Sequence, residues 1–184
     1  CGEKDVMDAL EMISECLISV HIRLMTTCKD LTEEQICWRP VPTANNIGFI
    51  LWHMSRHQDT QITKATWGKD DVWITDSWYQ RFSQSPHSPD PGDRMGLRSL
   101  SIPPLNVLLG YSEAVHDRNI EYVAHLDADE LDQPVSLDRP IYTVGNCLRH
   151  LITHQNNHHG QIDYIRGLQD ETWDLPVGTG VIVN

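Results

Sequence analysis

Four stretches of the chain repeat their apolar residues at steps of three and four, and no stretch of useful length alternates apolar with polar. The first spans about residues 5–29, with Val6, Leu10, Ile13, Leu17, Val20 and Leu24 on one face. The second spans about 46–67, through Ile47, Ile50, Leu51, Met54 and Ile62 to Trp67; Asn45 or Asn46 can cap its start and Gly68 closes it. The third, about 104–126, follows Pro103-Pro104 and aligns Leu105, Leu108, Val115, Tyr122 and Leu126. The fourth runs from Thr143 to Arg166 with Val144, Leu148, Leu151, Ile162 and Ile165 on its seam, and Gly167 is expected to end it. A helix with one apolar stripe must bury it against another, so four such helices predict an all-α four-helix bundle formed by a single domain over 1–184.

Shorter segments join these helices. Thr32 can cap a turn over Leu31–Gln35 that stops at Trp38-Arg39-Pro40, because the residue before proline leaves the helical region. Residues 68–102 are dense in Gly, Pro, Ser and Asp yet contain Trp73, Trp78, Tyr79 and Phe82. That mixture predicts a packed irregular excursion with a short helix around 74–82. An acidic link covers 127–141, and 168–184 reads as an irregular tail with an extended end at Val181–Val183.

Charge and cysteine content narrow the partners. With 14 basic and 26 acidic side chains the net charge is −12, which opposes binding to nucleic acid or to an anionic membrane surface. No apolar run approaches the roughly 18 residues that span a bilayer, and the first residues lack the basic and apolar regions of a leader, so a cytoplasmic protein is expected. Cys1, Cys16, Cys28, Cys37 and Cys147 form no CxxC motif and fall mostly in apolar helical patterns, which suits reduced, packed thiols.

Ten histidines then require an account. Continuing the fourth seam from Leu151 by four and then three passes Gln155 and His158 before Ile162, with His154 one position aside. His154 and His158 share a helical face and can chelate one ion. On the second helix His53 sits between Ile50 and Met54 near the inward face, with His57 one turn on. Several imidazoles on apolar-flanked helices are costly to bury unpartnered, so two helices offering them at mid-height point to a shared divalent metal. Three neutral imidazoles suit Zn, Ni or Fe and leave a coordination position open for water or for a thiol bound as thiolate. A ferritin-like di-iron site would need two Glu-x-x-His pairs, whereas only Glu113-Ala-Val-His116 is present.

Two of these segments carry a family resemblance. Asn46-Ile47-Gly48-Phe49-Ile50-Leu51-Trp52-His53 resembles the "N-x-I-x-x-L-x-W-H" segment of DinB/YfiT-like proteins, and His154-Gln-Asn-Asn-His158-His159-Gly160-Gln161-Ile162 is similar to their "H-x-x-x-H-R-G-Q-I" signature. The element Trp38-Arg39-Pro40 is similar as well, and the likeness runs over about residues 5–167. It implies an up-down-down-up bundle with a long connection between its second and third helices, and metal ligation by His53, His154 and His158. His159 stands where arginine is usual and adds an imidazole beside the site. His57, His150 and Gln161 are the candidates to support the ligands, and Asp59 and Asp163 can also orient imidazoles by hydrogen bonding. Ser112 and Asn119 lie on the third seam and can face the metal cavity or bond within the core. Trp38, Trp52 and Trp67 are read as packing, and His21, His87, His116 and His125 need no special role.

Members of this superfamily imply a metal-dependent transferase or isomerase that uses a low-molecular-weight thiol on a small-molecule substrate, with homodimerisation through bundle faces as in relatives. The same site can support metal-assisted hydrolysis, although no Glu stands beside the ligands to act as base, or a non-enzymatic metal-binding stress-response module. No catalytic side chain is identifiable beyond the metal and the water or thiolate it binds.

Overall fold

The computed structural model describes residues 7–66, 70–87, 96–97, 99–136 and 141–174. Trp67, Gly68 and the expected extended end at Val181–Val183 lie outside these residues. Four long helices dominate: α1 (Ala9–Cys28), α3 (Ile47–Ala65), α6 (Leu105–Ala124) and α7 (Val144–Gln169). Shorter ones intervene: α2 (Glu33–Cys37), α4 (Val72–Thr75), α5 (Trp78–Arg81) and a 3₁₀ turn at Ala128–Asp132. The described residues form no strand, only an isolated antiparallel bridge between Pro134 and Thr143.

Side-chain caps set most of the starts. Asp8 and Glu11 form a reciprocal capping box, so α1 begins at Ala9 rather than near residue 5. Thr32 and Gln35 do the same for α2, while Asn46 and Thr143 accept the Phe49 and Asn146 amides to open α3 and α7. Asn46 also donates to the Cys37 carbonyl at 3.2 Å, which ties the end of α2 to the start of α3. Two expectations fail. Helix α7 runs through Gly167 to Gln169, because Gly167 keeps the helical path and the Gln169 amide side chain is held by the Gln35 carbonyl at 2.7 Å. The single short helix expected at 74–82 is two helices, broken at Ser77, whose φ of 56° is left-handed.

Helices α1 and α3 each pack against both α6 and α7, and cross-links reveal their directions. Arg23 reaches Asn156 and Thr27 reaches His159, so α1 and α7 run parallel. His53 meets His154 while the Cys147 thiol points to the Gln61 carbonyl, so α3 runs against α7. Tyr111 bonds Asp59 and Tyr122 bonds the Ala65 carbonyl, so α6 runs with α3. The order is up, down, down, up.

The core has two apolar bodies separated by a polar belt. Leu24, Ile36, Ile50, Met54, Leu108, Tyr111 and Ile162 belong to one body, and Leu17, Ile62, Val123, Leu148 and Leu151 to the other. Between them, each helix turns polar side chains inward: His21 on α1, Ser55 and Gln58 on α3, Ser112 and Asn119 on α6, and Gln155 and His159 on α7. Full burial of a Leu or Ile side chain contributes about 1.5–3 kcal/mol, so the two apolar bodies must outweigh the belt's desolvation. Asn119 donates to Gln58 at 2.9 Å, which settles it as a core bond. His21 and His116, given no role by the sequence, stack between α1 and α6 with ring centroids 3.9 Å apart and planes 3° from parallel. The signal was available: His21 lies one helical turn after Leu17 on the α1 seam.

Burial lowers both the His21 and the His116 pKa from 6.5 to about 4, and His21 further disfavours a charge on His116. Between about pH 6.5 and 4 the unfolded chain therefore takes up protons that the folded chain refuses, and stability falls as pH falls across that window. Urea unfolding of metal-free protein should give midpoints that drop from pH 7 to pH 4.5. The double substitution His21→Phe, His116→Phe should flatten that slope.

Candidate metal centre

The antiparallel pairing of α3 and α7 places two histidine ladders face to face. His53 and His57 are one turn apart on α3; His150, His154 and His158 occupy successive turns of α7. Nitrogen donors of His53, His154 and His158 all lie within 4.8 Å of one another, and no other such group of three or more His, Cys, Asp or Glu occurs among the described residues. Their ring centroids are 4.4–5.1 Å apart. The Nε2 atoms of His53 and His154 approach to 3.2 Å. With zinc–nitrogen bonds of about 2.0–2.1 Å, tetrahedral ligands sit roughly 3.3 Å apart, so this pair already has the spacing of two ligands of one ion.

Electrostatics keep these imidazoles in the form a metal would need. Burial, reinforced by His158, lowers the His53 pKa to about 4, and burial with its four imidazole neighbours lowers that of His154 to about 3. Both are neutral at pH 7 and present lone pairs. The Gln161 carbonyl oxygen lies 3.0 Å from His158 Nδ1 and accepts its proton, which directs the Nε2 lone pair away from Gln161. The donor set fits a divalent cation: three neutral nitrogens, a polar belt behind them, and no thiolate or carboxylate to cancel the charge.

The remaining candidates separate. His57 stacks on His154 at 3.9 Å and 24°, and its buried Nε2 has no partner. His150 packs edge-on against His57 at 5.0 Å. These two extend the imidazole cluster along its edge and stand outside the close group of donors. His159 turns to the opposite side of α7: its Nε2 meets the Thr27 hydroxyl at 3.0 Å and its Nδ1 meets Asp163 at 3.1 Å, so the imidazole in the arginine position tethers α1 to α7 and leaves the triad alone. Asp163 accordingly orients His159 rather than a ligand. Ser112 is buried with its hydroxyl unpartnered. Trp52 is buried with its indole donating to Gln84 at 3.1 Å, and Trp38 stays 37% exposed.

Asp59 touches no imidazole. Its carboxylate accepts the Val72 and Trp73 amides at 2.9 Å each, the Tyr111 hydroxyl at 2.7 Å and Arg56 at 3.2 Å. This buried knot fastens α4 and α5 to the bundle, where Trp73, Trp78 and Phe82 ring Tyr111 with centroids 5.4–5.5 Å away. Sequence reasoning could see the aromatics but not the anchor, because an Asp on a helix looks the same whether solvated or buried. Asp59→Ala should cost about 3–5 kcal/mol, because the buried Val72 and Trp73 amides and the Tyr111 hydroxyl lose their acceptor, while Arg56 keeps Asp71. Elemental analysis of the surviving folded variant should find its metal content unchanged.

Comparison with known proteins agrees with this architecture. A crystal structure described as the conserved protein of locus from Enterococcus faecalis superposes with a TM-score of 0.76 at 22% identity, covering 89% of this chain and 98% of that one. That likeness concerns the fold. No curated protein matches the chain. The model of the DinB superfamily matches residues 20–162, a span holding all three facing histidines and most of the four long helices. With the bundle and the histidine triad both in place, the chain belongs to the DinB superfamily.

Proposed function

We propose that this DinB-superfamily protein is a metal-dependent enzyme that transfers a low-molecular-weight thiol to, or uses it to isomerise, a small-molecule substrate. The observation that supports this most is the all-imidazole donor set of His53, His154 and His158. A divalent ion held by neutral ligands keeps its full charge as a Lewis acid and favours a bound thiol in its thiolate form.

The side chains of this chain have distinct tasks in that reading. His53, His154 and His158 hold the cation, and Gln161 fixes the tautomer of His158 through its carbonyl oxygen. His57 is held at a pKa of about 4 by burial, then by His150 and His53, so it is a poor proton acceptor at neutral pH and serves to pack His154 in place. Hydrolysis would ask for a general base beside the ligands, and the close donor group contains no carboxylate. A reaction whose nucleophile is already an anion at neutral pH does not need one. Water on such an ion also ionises near neutral pH, but a thiol starts far more acidic than water and ionises more completely, which favours thiol chemistry over the hydrolytic alternative.

Protein purified without nickel resin should contain close to one divalent ion per chain, and His154→Ala should lose it. Metal-loaded protein incubated with a small thiol and a chlorinated aromatic electrophile should form the conjugate only while metal is bound. Unchanged metal content in His154→Ala would overturn the ligand assignment. Metal-replete protein that conjugates none of glutathione, bacillithiol or mycothiol would overturn the transferase reading.

A further inference from the structure

The loop between α2 and α3 leaves an open groove of about 580 Å³ against the outer face of α7. Its lining includes Thr43, Asn45, Ile50, Asn157, Gly160, Gln161 and Tyr164. Two features set it apart from a random furrow. It abuts the metal triad, because Gln161 lines the groove while its carbonyl oxygen holds His158, and Ile50 lies one turn from His53. And among the described residues no Lys, Arg, Asp or Glu lines it. Arg39, on the same loop, directs its guanidinium onto the Ala44 carbonyl.

The lining dictates what can bind. An anion entering the groove would shed water without meeting a cationic side chain among the described lining residues, in a chain that already carries −12, and a cation would find no carboxylate there. The available partners are neutral: the amides of Asn45, Asn157 and Gln161, the Thr43 hydroxyl, and the Tyr164 ring, which is 70% exposed. With its carbonyl committed to His158, Gln161 has its NH₂ left to donate. The volume falls in the range of small-molecule sites. We propose that this groove binds an uncharged small molecule with a planar apolar body and a neutral amide or hydroxyl end, lying on Tyr164 and met by Gln161 beside His158. This rests on the metal reading only for the ligand's role as the substrate; the binding itself rests on the groove.

A carboxylate-rich thiol is a poor occupant of such a groove, so the groove's ligand is the second reactant, the electrophile. Gly160 offers a way to close the site without touching its chemistry, since a Cβ added there meets nothing within 4 Å. Protein equilibrated with zinc is titrated with benzamide, benzenesulfonate and benzylammonium while the backbone amide NMR signals of Asn157, Gly160 and Gln161 are followed. Benzamide should shift them saturably and bind about tenfold or more tighter than either ion, a gap of about 1.4 kcal/mol. Gly160→Leu should weaken benzamide by about tenfold or more and Tyr164→Ala by several-fold, with the zinc content of both unchanged. Equal binding of the three probes, no saturable shift, or benzamide binding indifferent to Gly160→Leu would overturn the proposal. If benzamide titrates as expected in protein that takes up no zinc, the groove stands and the metal reading falls.

Discussion

The four helices interrupt their apolar seams at one common height, and the rest of the molecule is arranged around that interruption. A polar belt in the middle of a bundle must either be satisfied internally or be used. Here it is divided between the two tasks. On the side of α1 and α6 it is spent on packing, through the His21–His116 stack and the Asn119–Gln58 bond. On the side of α3 and α7 it opens into a cluster of imidazoles whose lone pairs converge. Apolar bodies above and below hold the register that makes both arrangements possible.

Much of this was legible in the chain, and the boundary of legibility has a physical meaning. Helix periodicity is a local property, so spacing alone gives the bundle, His53 near an inward face and His158 on the seam with His154 one position aside, whereas the choice of these three as a ligand set follows from the family resemblance. What escaped depends on partners far along the chain. Asp59 reads as an ordinary helical carboxylate until Val72, Trp73 and Tyr111 are brought to it. His159 reads as an extra member of the site until Thr27 and Asp163 claim it. Gly167 reads as a stop, yet a glycine at a helix end acts as one only if its backbone turns left-handed, and here the Gln169–Gln35 contact carries the helix past it.

Under the proposed function, the imidazole triad and the groove beside it would divide the requirements of a two-reactant site. The triad offers charge without bulk: three neutral nitrogens around a cation favour a small anionic nucleophile. The groove offers bulk without charge, through neutral amides and a tyrosine face. Gln161 belongs to both, since it lines the groove while its carbonyl oxygen meets His158. Such a division lets one site vary its organic substrate by changing the loop and outer helix face while leaving the metal shell intact.

His53 and His154 stand 101 residues apart in sequence yet share a 3.2 Å contact. Closing so long a loop costs entropy that is recovered only when α3 and α7 dock, so in folding the donors converge late and the disordered chain offers no comparable chelate. An ion that recognises only the docked helices acts as a thermodynamic clamp on the native state, contributing in proportion to the logarithm of its concentration over its dissociation constant. A cation held by the triad would thereby tie the stability of this fold to the supply of free metal.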